Sequence, residues 1–200
     1  KPRASDESPA PLQKVATPNC ATIEALAQLL NVPKSKTGKA VFMVATVTER
    51  DHDVERFVFA VVRGDMDVNE TKLANAVKAK DLRPARDEEI RAVGAVPGYA
   101  SPIGLKTYPV IASEAKQSPN DVRGVASSQT ALLAMTNSVI IIVDDSIPNS
   151  PNLVSGANEE GYHKLNVNYG RDYSANIVAD LALARDGDAC PNCNQPLHST

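Results

Sequence analysis

The chain has 200 residues, 42% of them hydrophobic and only 4% aromatic, with a formal net charge of −3. That suits one domain with a core of small aliphatic side chains, and no apolar run approaches the roughly 18 residues of a membrane span. The charge argues against a stand-alone nucleic-acid binder, because phosphate contacts need an excess of Lys and Arg; it leaves open a domain that touches only an RNA end while a larger body holds the rest.

Residues 1 to 14 are polar and Pro-rich and read as a linker. They are not a signal peptide, and the absence of an initial Met suggests a piece of a longer protein. Thr17-Pro18-Asn19 is a turn. Thr22 caps a helix in which Ile23, Leu26, Ala27 and Leu30 recur at helical spacing, and Asn31 and Pro33 end it. Lys34, Lys36 and Lys39 form a positive cluster. Residues 40 to 48 are a buried strand, Glu49 to Glu55 a charged hairpin loop, and Arg56 to Arg63 a second strand. Gly64-Asp65 turns the chain. Asn69 caps a second helix with Leu73, Ala74 and Val77 as its apolar stripe. Asp87 starts a short third helix with Ile90 and Val93 inside.

Pro97-Gly98 opens a loop, residues 138 to 143 form another strand, and residues 146 to 151 make a rigid turn. The segment from Gly156 to Asp172 is dense in chemistry-bearing residues, punctuated by Gly156, Gly161 and Gly170. From His163 to Asn168 it alternates like a half-buried strand, with Leu165 and Val167 facing one way and His163, Lys164, Asn166 and Asn168 polar. Ile177 to Ala184 is a last helix with Ile177, Val178 and Leu181 inward. Three cysteines do not make a disulfide framework, which points to a reducing, cytoplasmic setting. Cys190 and Cys193 form a lone CxxC. With His198 they supply three metal ligands and no evident fourth, so no metal is assigned.

Several residues have both a chemical and a structural reading. His163, at a strand start beside a glycine turn, presents an imidazole to a pocket or is an ordinary structural histidine. Lys39, at the start of a buried strand, places an ammonium beside a pocket or is simply solvated. Gly98 and Ser101 lie in a loop whose backbone N–H groups can point inward. Pro102 fixes that loop or is a common turn proline.

Four stretches, taken together and in order, resemble one family. Gly156–Asp172 (GANEEGYHKLNVNYGRD) is similar to the closing segment of the editing, or insertion, domain of bacterial prolyl-tRNA synthetases. Val15–Asn19 with Thr22–Glu24 resembles its entry, Lys36–Val44 its lysine-bearing strand, and Gly98–Gly104 its GxxxP loop. Stand-alone YbaK-type deacylases share the signature. The resemblance spans residues 14 to 190 except one stretch. It implies a linker over 1–14, an editing domain over 15–186 and an exit segment over 187–200. The implied fold is α/β, a curved, mostly antiparallel mixed sheet flanked by helices.

The implied function is hydrolysis of alanine wrongly esterified to proline tRNA, without a cofactor. The partners would be the acceptor end of that tRNA and the rest of the synthetase chain. An aminoacyl ester is already labile, so a positioned water and an oxyanion site suffice without a Ser or Cys nucleophile. In this resemblance Lys39 grips phosphate or ribose and stabilises negative charge. Gly98 and Ser101 supply loop donors, although the synthetase domains often have Gly where this chain has Ser101. His163 bonds the substrate or shapes its side-chain pocket. Thr17 matches a residue at the pocket rim, and Asp144 an aspartate after the strand, with Asp145 adjacent as the other choice. Two rival functions remain: a non-catalytic module that positions tRNA or stabilises the synthetase, and a free-standing trans-editing deacylase with another preference, such as cysteine. Residues 107 to 137 do not fit the family. They resemble a translated bacterial palindromic repeat; a functional lid is the other reading.

Overall fold

The computed structural model describes residues 7–105, 139–188 and 195–198. Both the segment read as an inserted repeat and the CxxC lie outside the described residues.

The strands fall into two sheets. One has three strands in the order β1-β7-β6, where β1 is Gln13–Ala16, β6 Leu153–Gly156 and β7 Tyr162–Val167. The other has five, β4-β2-β3-β5-β8, with β2 Gly38–Glu49, β3 His52–Arg63, β4 Asp81–Pro84, β5 Val139–Asp144 and β8 Ile177–Ala179. A parallel bridge between Thr37 and Val154 ties the sheets together. Most pairings are antiparallel; β3–β5 and β5–β8 are parallel. The helices are α1 (Ile23–Leu30), α2 (Glu70–Val77) and α3 (Asp87–Ala92). The α/β class with mixed, mostly antiparallel sheets is therefore as expected, with the strands divided between two sheets.

β2, β3 and β5 are apolar on both faces because both are covered. Phe57, Phe59, Ile141 and Val143 pack on one side with Ile90 and Val93 of the α3 region. Val58, Ala60, Val62 and Ile142 pack on the other with Leu73 and Val77 of α2. Helix ends follow local chemistry. The Thr22 hydroxyl accepts from Ala25 N–H at 3.2 Å and Asn31 closes α1 in the left-handed region. Asn69 accepts from Lys72 N–H at 3.0 Å to open α2.

Three expectations change. The β2–β3 hairpin closes through two residues, Arg50 and Asp51, both at positive φ (49° and 66°), so the charged stretch read as a loop is paired strand. Both φ values are positive, as in the tight turn that matches strand twist, and polar residues are tolerated where strand ends meet water. β1 begins inside the segment read as linker, pairing Val15 with His163. The stretch read as a last helix is instead strand β8, followed by an extended segment. Its amides are claimed by tertiary partners: Leu181 and Ala182 N–H donate to the Asp144 carboxylate at 2.9 and 3.1 Å. Val178, read as inward, is 46% exposed, whereas Leu181 is fully buried.

Candidate functional site

An open cleft of about 600 Å³ lies between the start of β2, the N-terminus of α1, the loop at Gly98 and the β6–β7 pair; Lys39, Gly98 and His163 all line it. The structure thus brings three of the sequence candidates onto one cavity.

His163 reaches the cleft from β7, in register with Val15 on one side and Gly156 on the other. Positions 163 and 165 share one strand face, so His163 turns inward with Leu165, not outward with the polar set; a register shift in the β6–β7 pairing, with Asn166 at φ +60°, sets Val167 opposite Leu153 and off that face. It is 4% exposed. Its Nδ1 lies 2.6 Å from the hydroxyl of fully buried Thr17, and its ring is tilted against Tyr99, centroids 5.3 Å apart. Among the described residues Nε2 has no partner. Burial pushes the imidazole down to about 4, so the ring is neutral at physiological pH. Thr17 sits behind the histidine rather than on the cleft wall, and its backbone N–H is held by Gly161 O at 2.7 Å.

Gly98 has φ +80°, and a Cβ there would meet the Cβ of Ala21 at 2.8 Å. The loop it opens is pinned from behind. Asn158 Oδ1 accepts from Ser101 N–H at 2.8 Å, and its Nδ2 donates to the carbonyls of Ser101 and Ile103, each at 2.9 Å. Gly156 lets β6 press on the same loop: a Cβ there would fall 2.1 Å from the carbonyl carbon and oxygen of Tyr99. Ser101 is fully buried, its hydroxyl accepting from Ile103 N–H and lying 3.3 Å from Ser155 Oγ. Ser101 and Pro102 are buried in the loop, behind the cleft wall. With its amide proton given to Asn158, Ser101 holds the loop's shape instead of presenting a backbone donor.

Lys39 projects from β2 and pairs with Asp67 Oδ1 at 2.6 Å. The second oxygen of Asp67 receives Arg185 Nη2 at 2.6 Å. The two cations hold the Asp67 carboxyl below its usual range. Lys34, also on the cleft, pairs with Glu24.

Asp144 does not reach the cleft. It is fully buried at the end of β5, where its carboxylate accepts from the backbone N–H and hydroxyl of Ser146 as well as from Leu181 and Ala182. A carboxylate so engaged organises the loop and the segment after β8. Asp144, Asp145 and Asp180 bring carboxylate oxygens within 4.8 Å of one another, the last two exposed; the hydrogen bonds Asp144 already accepts account for its place there without an ion.

Sequence reading did not single out Asn158, Tyr99, Asp67 or Arg185, and it marked Gly156 only as a glycine that punctuates its segment. Their roles come from contacts tens of residues apart along the chain. The only local signal is the Gly156-Ala157-Asn158 run, a composition that marks a turn without saying what the turn holds.

The aminoacyl-tRNA editing domain family model matches residues 17–137. Among curated relatives, a proline–tRNA ligase of Salinispora tropica is 41% identical over the whole chain, and one of Dehalococcoides mccartyi is 40% identical over 94% of it. The chain spans only 28% and 26% of their respective lengths. Two solved structures share the fold at 16% identity, each over 86% of this chain: hypothetical protein APE2540 (92% of that chain, TM-score 0.56) and a protein described as a candidate trans-editing enzyme for prolyl tRNA synthetase (87%, TM-score 0.55). No helix among the described residues is long and apolar enough to cross a membrane. With more than half its length matched by the family model, the chain belongs to the aminoacyl-tRNA editing domain family.

Proposed function

We propose that the chain is the editing domain of a cytoplasmic prolyl-tRNA synthetase and hydrolyses the ester of alanine mischarged on proline tRNA. The observation that carries this is the convergence of Lys39, Gly98 and a buried neutral His163 on one open cleft. The cleft's volume, about 600 Å³, is far more than an alanine side chain needs and suits a terminal nucleoside together with its amino acid.

In this reading Lys39 leaves Asp67 for the substrate, where its ammonium offsets negative charge on phosphate or on the ester oxygen as water adds. His163, held at Nδ1 by Thr17, offers Nε2 for a hydrogen bond to the substrate. With its proton affinity so low it is a weak general base, and its main contribution is orientation and shape. The loop from Gly98, stiffened by Asn158, forms the wall against which the amino-acid side chain is measured. A rigid wall penalises the larger proline ring, since overpacking a fixed pocket is costly.

The test is hydrolysis by the 200-residue chain of proline tRNA charged with alanine, proline or cysteine. Rapid loss of alanine alone supports the reading. Preferential loss of cysteine points to a different specificity, and no hydrolysis of any ester leaves a tRNA-positioning module.

A further inference from the structure

Arg185 has no part in the function outlined above, yet it lines the same cleft as Lys39. The two cations grip opposite oxygens of one carboxylate: Lys39 Nζ is 2.6 Å from Asp67 Oδ1, and Arg185 Nη2 is 2.6 Å from Asp67 Oδ2. A phosphate offers the same arrangement of adjacent anionic oxygens, and a guanidinium fork matches either group. We propose that Arg185 and Lys39 together bind a backbone phosphate of the aminoacylated RNA end, with Asp67 occupying their place until the RNA arrives. The proposal rests on the editing function above.

The fold delivers Arg185 to this position deliberately. The segment after β8 runs against residues 67 to 69: Asn69 N–H donates to Leu181 O at 2.8 Å, Leu183 N–H to Asp67 O at 2.7 Å, and Val68 and Ala182 form an antiparallel bridge. The buried Asp144 carboxylate anchors the same segment through the N–H groups of Leu181 and Ala182. Arg185 Nη1 then donates to Asp65 O at 3.0 Å, which helps fix the guanidinium on the cleft lining. Asp144, read from the sequence as a substrate-binding residue, acts here as a positioning residue for Arg185.

Displacing Asp67 costs little. Its pairs with Lys39 and Arg185 are solvent-exposed, with side chains 37%, 46% and 52% accessible, and exposed pairs of this kind contribute little to stability. A phosphate carries the same or greater charge and can take both cations at once. Of the anionic groups that line the cleft, Glu24 is already paired with Lys34, and Asp65 with Arg63. The Lys39–Asp67–Arg185 group is thus the place where a single exchange of anions frees two cations.

The experiment compares two esters with the 200-residue chain: alanine on a short RNA ending in adenosine, which has a backbone phosphate, and alanine on free adenosine, which has none. Arg185→Ala is expected to raise KM for the RNA ester about tenfold and leave hydrolysis of the adenosine ester unchanged. Asp67→Asn, which removes the competing carboxylate, is expected to lower KM for the RNA ester roughly two- to fivefold. Arg185→Lys should recover part of the loss, because charge is restored without the fork. Equal effects of Arg185→Ala on both esters would overturn the phosphate role and leave Arg185 a structural residue. No hydrolysis of either ester by the wild-type chain would overturn the editing function and this proposal with it.

Discussion

Asn158→Ala tests whether the loop at Gly98 is held rigid from behind. The substitution removes three hydrogen bonds, one from Ser101 N–H and two to the carbonyls of Ser101 and Ile103. At about 1 kcal/mol net each, their loss amounts to about 3 kcal/mol. Two effects adjust that figure. Ser101 is fully buried, so its amide is left without water as a substitute, which raises the cost. Asn158 and Ile103 are only partly buried, so water can reach the Ile103 carbonyl and lower it. Asn158 also sits at φ +55°, where alanine is disfavoured by about 1 kcal/mol or more. Asn158→Gly separates that backbone contribution, since glycine accepts the same φ. The net expectation for Asn158→Ala is a loss of roughly 3 kcal/mol in urea unfolding at unchanged m. Alanyl-tRNA hydrolysis should fall by ten- to a hundredfold, because a wall displaced by about 1 Å forfeits positioning. Asn158→Asp gives a sharper contrast: it keeps an acceptor for Ser101 N–H but turns an anion toward two carbonyl oxygens, so it should be at least as damaging at neutral pH. A loss below about 0.5 kcal/mol for Asn158→Ala, with an unchanged rate, would refute the idea that this side chain fixes the loop.

Lys39→Ala is expected to cut alanyl-tRNA hydrolysis about a hundredfold while leaving the melting temperature nearly unchanged, because its ion pair with Asp67 is exposed; wild-type turnover in the variant would end its catalytic role. Gly156→Ala should lose several-fold in rate and about 1–3 kcal/mol in stability, since the added Cβ meets the backbone of Tyr99 at 2.1 Å and neither strand nor loop can yield cheaply; an unfolding curve that overlays the wild type would show the contact to be loose. The His163 imidazole is depressed to about 4 from an ordinary value of 6.5. Its neutral burial therefore contributes fully above about pH 6.5 and is lost as pH falls toward 4, up to about 3 kcal/mol in all. Subtracting the stability–pH curve of His163→Gln from that of the wild type should expose this window free of the carboxylates; a difference flat between pH 7 and 4 would mean that the ring is solvated.

Local sequence patterns determined a good part of this protein. Thr22 and Asn69 announced their helices because a cap needs only a side-chain oxygen two or three residues from an open amide. The apolar runs in β2, β3 and β5 announced strands because both faces of the sheet are covered. Lys39, Gly98 and His163 stood out through the order of four short motifs, and the cleft does bring them together. Other features depended on partners far along the chain. Ile177 to Ala184 has helical spacing, but the open edge of β5 and the carboxylate of Asp144 take its backbone groups before a helix can. Asp144 looked like a site residue and is consumed by that same bonding. Asp67 and Arg185 carry no local signature, and Gly156 and Asn158 carry only that of a turn. Each acquires its role from a tertiary contact: a loop amide, a carbonyl at close approach, or two cations on one carboxylate. Propensity and periodicity act over one turn or one strand. Which hydrogen bonds are left to satisfy, and by whom, is decided only when distant segments pack.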